Sequence, residues 1–362
     1  MAAHLPAPLS AVLIHQGSPG GIGQVELLLD RAFAALGVRT SVIRRNTDGS
    51  SDAHMGVSAR KSKIGFGLRA IGTVMKRRPE LVVFSHLNLV SLALPLKAAV
   101  PGIRMSCVAH GIEAWSPLAP SARIGVNALD AVWCVSEFTR GMLNRESAIT
   151  LRKLHVLPLA VADDKARLIE AHRNENTPIG SRPFQLLSVS RLHAAERYKG
   201  VEHVLSSLVG VRAVNPNISY RIVGEGPDRV VLHDFADALG IGDVVTSEGA
   251  FDDDQLAAAL NACDAFILPS AKEGFGLAHL EAMCAAKPVI AAYAGATPEL
   301  IDRSNGVLTR YADVEGLADA ILQLMSDRPL CESLGAAGRS RFQASYTEAS
   351  FQAHLNRLLE RL

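Results

Sequence analysis

The sequence predicts an α/β protein made of two doubly wound, Rossmann-like parallel-sheet domains facing each other across a cleft. Three observations lead there. The chain has 362 residues, more than one domain ordinarily holds. Short apolar strands alternate with longer helical periods in both halves, as parallel sheets with covering helices require. A polar stretch with two prolines, Ala171 to Pro183, separates one run of that pattern from the next.

In the first half Ala11–His15, Thr40–Ile43, Leu81–Ser85, Arg104–Ala109 and Ala131–Val135 read as strands. Gln24–Leu36 reads as a helix because Val25, Leu28, Leu29, Ala32 and Leu36 share one face. The second half restarts with Phe184–Ser188, Tyr220–Val223, Val244–Thr246, Ala265–Leu268, Pro288–Ala291 and Val307–Thr309 as strands. The domains are expected at 1–165 and 184–345, joined by a linker at 166–183. Residues 346–362, with Phe351, Leu355, Leu358 and Leu359 at helical spacing, form a C-terminal helix free to pack back toward the N-terminal domain. Sheets of this kind bind ligands beyond the carboxyl ends of their strands.

Composition excludes several classes. A chain with 48% hydrophobic and 20% charged residues is neither disordered nor fibrous. Its five cysteines, Cys107, Cys134, Cys263, Cys284 and Cys331, form no Cys-x-x-Cys pair, which argues for a reducing cytoplasm and against a zinc site. No cationic start precedes the first apolar stretch, so a cleaved secretion signal is not expected. Leu81–Leu96 is too short and too polar to span a bilayer. The net charge of +1 argues against nucleic-acid binding, although residues 1–165 carry 19 cations against 11 acids.

Candidate chemistry clusters at strand ends. Gly17-Ser-Pro-Gly20-Gly21-Ile-Gly23 runs from the first strand into a helix, where glycine amides approach an anion closely. Its spacing is not Gly-x-Gly-x-x-Gly, and the second strand ends in Arg44-Arg45 instead of an acid, so NAD binding is disfavoured. His110-Gly111 follows the fourth strand and suits proton transfer near neutral pH. Arg191 and Lys199 lie beside another strand end, where a planar fork and a point charge can neutralise a diphosphate. Glu273-Gly-Phe275-Gly276-Leu277 leads into a helix whose second turn holds Glu281. The amides of Phe275, Gly276 and Leu277 are placed for phosphate or sugar oxygens, and the two glutamates for hydroxyls. Asp252-Asp253-Asp254 precedes an apolar helix and reads as a cap, not a metal site.

These residues, taken in order, resemble the retaining glycosyltransferases of family 4, the glycosyl transferases group 1, which have the GT-B fold. The resemblance is carried by Ser190-Arg-Leu with Lys199-Gly200, Val223-Gly-Glu-Gly-Pro, Ala262-Cys-Asp264, and Glu273-Gly-Phe-Gly with Glu281. The first half adds Gly20-Gly21-Ile-Gly23, His110-Gly111, and Val135-Ser136 with Pro158. The resemblance implies that Arg191 and Lys199 bind the donor diphosphate and Glu281 the nucleotide ribose. Glu273, with the Phe275 and Gly276 amides, would grip the transferred sugar, with His110 near the reaction centre. Gly21 and Gly23 would face the donor phosphates or the acceptor. The segment between Arg191 and Lys199 is longer than in many members, which adds Arg197 as a phosphate candidate.

The implied activity moves a sugar, expected to be a hexose, from a nucleotide-diphosphate sugar to a saccharide or lipid-linked saccharide, in polysaccharide or glycolipid biosynthesis. No metal or other cofactor is implied. Since no second carboxylate stands out as a nucleophile, same-face attack on an oxocarbenium-like centre is expected. Two other readings stay open. An NADP-dependent oxidoreductase accounts for Gly17–Gly23 and Arg44-Arg45 but leaves the second half unexplained. A non-catalytic nucleotide- or carbohydrate-binding protein keeps the pockets without turnover.

One segment lies outside this scheme. Arg60, Lys61, Lys63, Arg69, Lys76, Arg77 and Arg78 occur between 60 and 78 without an acid, around Ile64, Leu68, Ile71 and Met75 at helical spacing. It reads either as a core-packed helix with a solvated basic face or as a surface that docks on anionic lipid at the inner face of the membrane.

Overall fold

The computed structural model describes residues 9–17, 20–45, 63–175 and 182–362. The chain divides into two units, Met1–Leu159 with Glu348–Leu362, and Ala160–Thr347.

The first unit holds β1 (Ser10–His15), β2 (Arg39–Arg44), β3 (Leu81–Phe84), β4 (Arg104–Ala109), β5 (Ala131–Cys134) and β6 (Leu154–Val156), all parallel, in the order β2-β1-β3-β4-β5-β6. Strands β3 and β5 are buried along their whole length, which is why they read as unbroken apolar runs. Strand β6 was not expected. It has three residues, two of them only partly buried, so it carries too little apolar pattern to stand out. Among the described residues before β6, the helices of this unit are α1 (Gly21–Ala35), α2 (Lys63–Arg77), α3 (Ala93–Ala99), α4 (Pro120–Ala128) and α5 (Glu137–Ser147).

Helix α2 packs on the core with Arg69, Lys76 and Arg77 exposed, as the simpler of its two readings has it, but through a different stripe. Phe66, Ala70 and Val74 pack into the core, while Ile64, Leu68 and Met75 are 75%, 65% and 53% exposed. Of the stripe read from the sequence, Ile71 alone packs against the core. Arg60 and Lys61 lie outside the described residues.

The second unit contains α6 (Asp163–Ala171), β7 (Phe184–Val189), α7 (Val201–Val214), β8 (Ile218–Val223), α8 (Asp228–Ala238), β9 (Val245–Glu248), α9 (Asp253–Ala262), β10 (Ala265–Leu268), α10 (Leu277–Cys284), β11 (Val289–Ala292), α11 (Thr297–Leu300), β12 (Gly306–Thr309), α12 (Val314–Ser326) and α13 (Arg328–Ser345). Its parallel sheet runs β12-β11-β10-β7-β8-β9. Strand order reverses between β7 and β10, and the carboxyl ends of these two strands are where such a sheet receives a ligand.

The expected linker at 166–183 is corrected at its start, because α6 occupies Asp163–Ala171 and a short 3-10 turn follows over His172–Glu175. The expected boundary at 165 moves to 159/160. Helix α6 buries only Lys165 and Ile169 and packs on α9 and α10, with a Lys165–Asp253 pair at 3.3 Å, while His172 in the turn after it meets Asp254 at 3.0 Å. A polar helix held by distant acids shows no apolar period. The last helix, α14 (Glu348–Leu359), belongs to the first unit and buries Phe351, Leu355, Leu358 and Leu359, packing on α1.

Candidate active site

In the second unit, β7 delivers Ser190 and Arg191 just past its carboxyl end. The Ser190 amide donates to the Val223 carbonyl at 3.1 Å and the Leu192 amide to the Glu225 carbonyl at 2.8 Å. This segment therefore lies tight against the Gly224-Glu-Gly-Pro227 loop. Gly224 and Gly226 have φ of 153° and 149°, and a Cβ on either would collide with the carbonyl oxygens of Ser190 or Leu192. The two glycines of that motif thus seat the Arg191 segment.

The Arg191 side chain is 74% exposed and its Nη2 lies 2.6 Å from Glu196 Oε1. Arg191, Glu196, Arg197 and Lys199 line one small cavity. Arg197 is held differently, at 3.0 Å from Asp228 and 3.4 Å from Glu202. Lys199 closes the turn before α7, and its Nζ lies 2.6 Å from Glu273 Oε1, with both side chains largely buried. Burial alone would raise the Glu273 carboxyl, but the Lys199 ammonium, helped by His279, holds it below the usual carboxylate range. Burial likewise works against the ammonium, and Glu273 outweighs it, so Lys199 is held above the ordinary lysine range.

Glu273 belongs to the loop after β10, and its carbonyl accepts from the Ala296 amide at 2.8 Å. The loop ends at Gly276, whose φ of 102° caps α10. Phe275 is buried, its ring edge-on to Tyr346 at 5.9 Å. Leu277 opens the helix, so the first-turn amides face the loop side without partners inside the helix. His279, not singled out from the sequence, is fully buried and bonds the Leu268 carbonyl at 3.1 Å through Nε2. Glu281 is 5% exposed, and its Oε1 lies 2.6 Å from the Lys165 Nζ. Asp252 forms a capping box with Gln255, its Oδ1 accepting from the Gln255 amide at 2.8 Å.

In the first unit, His110 follows β4. Its Nε2 lies 2.6 Å from the Ser85 carbonyl and its amide donates to Glu113 at 2.6 Å. Bonding a carbonyl requires the proton on Nε2, which leaves Nδ1 as the acceptor. The ring stacks on His86 at 5.5 Å, and burial pushes the His86 imidazole below its ordinary range despite the nearby Glu113 carboxylate. The glycine segment meets the same cluster through Glu26. This buried carboxylate accepts from the Gln16 amide at 2.7 Å, the Gly17 amide at 3.1 Å and the Ser85 hydroxyl at 2.7 Å. Those two amides are therefore occupied by the protein itself. Gly21 and Gly23 lie in the first turn of α1 after Gly20, whose φ is 75°, and Ser18 and Pro19 lie outside the described residues.

Three of the expected residues, Arg191, Lys199 and Glu273, come together at the ends of β7 and β10. Glu281 instead pairs with α6. His86, Glu113 and Glu26 were missed, since a lone histidine or a glutamate within a helix carries no local mark of function. Arg44 lies 3.0 Å from Asp30 and Arg45 3.5 Å from Gln16.

The family described as Glycosyl transferases group 1 matches residues 170–341, and Glycosyltransferase Family 4 matches residues 19–165. The chain is 31% identical over 292 residues to a GDP-mannose-dependent alpha-(1-6)-phosphatidylinositol monomannoside mannosyltransferase of Mycobacterium tuberculosis, covering 76% of this chain and 74% of that protein. It is 28% identical over 298 residues to the glycogen synthase of the same organism, covering 78% of this chain and 69% of that one. Among solved structures, a sucrose-phosphate synthase from Thermosynechococcus elongatus superposes with a TM-score of 0.77 at 22% identity, over 98% of both chains. The two six-stranded parallel sheets, the ordered motifs and these relatives agree: the chain belongs to the group 1, family 4 glycosyltransferases and has their GT-B fold.

Proposed function

We propose that this glycosyltransferase moves a hexosyl residue from a nucleotide-diphosphate sugar to a saccharide or lipid-linked saccharide, retaining the donor's anomeric configuration, in glycolipid or polysaccharide synthesis. One observation carries the reading: Arg191 and Lys199 stand at the end of β7, where the strand order reverses, with Glu273 from the β10 loop bonded to Lys199. Two cations and the first-turn amides of α10 neutralise a leaving diphosphate. Glu273 and the amides of Phe275, Gly276 and Leu277 hold hydroxyls of the transferred sugar, and Glu281 those of the ribose. His110, with its Nε2 proton committed to Ser85, offers Nδ1 to a sugar hydroxyl. Gly21 and Gly23 give α1 an open first turn for phosphate or acceptor oxygens. The acceptor oxygen bonds the anomeric carbon on the face from which the phosphate oxygen departs, and the acceptor's proton passes to that oxygen.

The test incubates the protein with GDP-, UDP- and ADP-hexoses and saccharide or lipid-linked acceptors in the presence of EDTA. GDP-mannose is the first donor to offer, given the named mannosyltransferase relative. Transfer that persists in chelator and yields the donor's anomeric configuration is expected. Activity restored only by magnesium or manganese would add a metal to the site, and an inverted product would remove same-face attack.

The acceptor side extends to a membrane. Among the described residues no helix is long and apolar enough to cross one. Helix α2 instead exposes Ile64, Leu68 and Met75 beside Arg69, Lys76 and Arg77, and neighbouring α3 and α4 expose Leu94 and Ile124. Exposed apolar side chains on a helix that also exposes cations suit the headgroup boundary of anionic lipid, each cation contributing about 1 kcal/mol. We infer peripheral binding at the cytoplasmic face, where a lipid-linked acceptor would be met. Co-sedimentation with anionic but not neutral vesicles is expected, weakened by salt and by Lys/Arg→Ser changes within 60–78. Failure to bind either vesicle leaves a soluble acceptor as the better reading.

A further inference from the structure

We propose that Lys165 is a positioning residue for nucleotide recognition, fixing through its ion pair the Glu281 carboxylate that receives the donor's ribose hydroxyls. The inference rests on the reading of Glu281 given above. Lys165 is 8% exposed and Glu281 5%, with Nζ and Oε1 2.6 Å apart. Burying both charges costs several kcal/mol before their attraction is counted, so an ion pair is a poor choice for stability alone. Nor does α6 depend on it for attachment. Asn261 Nδ2 donates to the Ile169 carbonyl at 2.8 Å and His172 meets Asp254 at 3.0 Å. Lys165 also touches Asp253 at 3.3 Å, which fixes the ammonium between two acids on different elements. A carboxylate offers about four lone-pair directions. One directed ammonium on Oε1 stops its rotation and leaves directions for two vicinal hydroxyls. Without that contact a buried carboxylate must turn to find another donor, and the pre-set geometry for a diol is lost.

The experiment measures binding of GDP, UDP and ADP, each beside its 2′-deoxy counterpart, by titration calorimetry. The unmodified protein is expected to prefer the ribonucleotide. Lys165→Met should weaken the ribonucleotide about tenfold, a change of roughly 1.4 kcal/mol, and the deoxynucleotide by less than about twofold. Glu281→Gln should show the same pattern. Because Lys165 acts through Glu281, the double variant Lys165→Met/Glu281→Gln should bind no more weakly than Glu281→Gln. The double variant buries no lone charge, so it keeps the readout if Lys165→Met fails to fold. The proposal is overturned if Lys165→Met weakens both nucleotides equally, if it keeps the ribose preference that Glu281→Gln loses, or if the double variant is weaker still. A Glu281→Gln protein that keeps the full ribose preference marks a different failure, that of the ribose reading itself, and removes the proposal's premise with it.

Discussion

Glu273→Gln is expected to lower kcat by about a hundredfold or more, the effect of removing one directed group from a charge-developing centre. Its affinity for free nucleoside diphosphate should change by less than about threefold. The asymmetry follows from the ion pair. Lys199 is bonded to Glu273 at 2.6 Å, so a neutral amide there frees the ammonium for phosphate while removing the grip on the sugar. Arg191→Ala should do the opposite. Its side chain is exposed and bonded to Glu196, and losing its charge-assisted bonds to phosphate costs about 1.5–3 kcal/mol, one to two decades in diphosphate affinity. Calorimetry with free nucleotide and steady-state rates separate the two. Equal loss of nucleotide affinity in both variants would overturn the separate roles assigned to them.

The parallel strands were legible because β3, β5, β10 and β11 are buried on both faces and so read as apolar runs. Arg191, Lys199, Glu273 and Gly276 were legible because strand ends and helix starts leave a local trace. Partners that meet only through the fold were not. Lys165 looks like any lysine in a polar stretch, and its burial depends on Glu281 and Asp253, far along the chain. Glu26 sits among the apolar residues of α1, yet it is spent on the Gln16 and Gly17 amides. On α2 the sequence offers two apolar sets, and periodicity cannot say which faces the sheet. The structure buries Phe66, Ala70 and Val74, which leaves the stripe picked from the sequence largely in solvent.

Lys199→Ala is expected to destabilise the second unit by about 3–5 kcal/mol at pH 7, because it strands the Glu273 carboxylate in a buried site. The resulting fall in melting temperature is on the order of 10 °C. The pH dependence identifies the cause. In the unmodified protein the Glu273 carboxyl is held low, burial being outweighed by Lys199, so the folded state binds fewer protons than the unfolded one. Its contribution is full above the ordinary glutamate range and is lost as pH falls through the lowered value. Without Lys199, burial dominates and the same carboxyl moves above its ordinary range. The folded variant then binds more protons than its unfolded chain, and its stability falls as pH rises across that interval. The gap between the two melting temperatures should therefore widen as pH rises above the ordinary glutamate value of about 4.3. Adding Glu273→Gln to Lys199→Ala should restore most of the loss and flatten the pH response. A gap that stays constant with pH, or a double variant as unstable as the single one, would mean that Lys199 supports the fold by packing and not by its charge on Glu273.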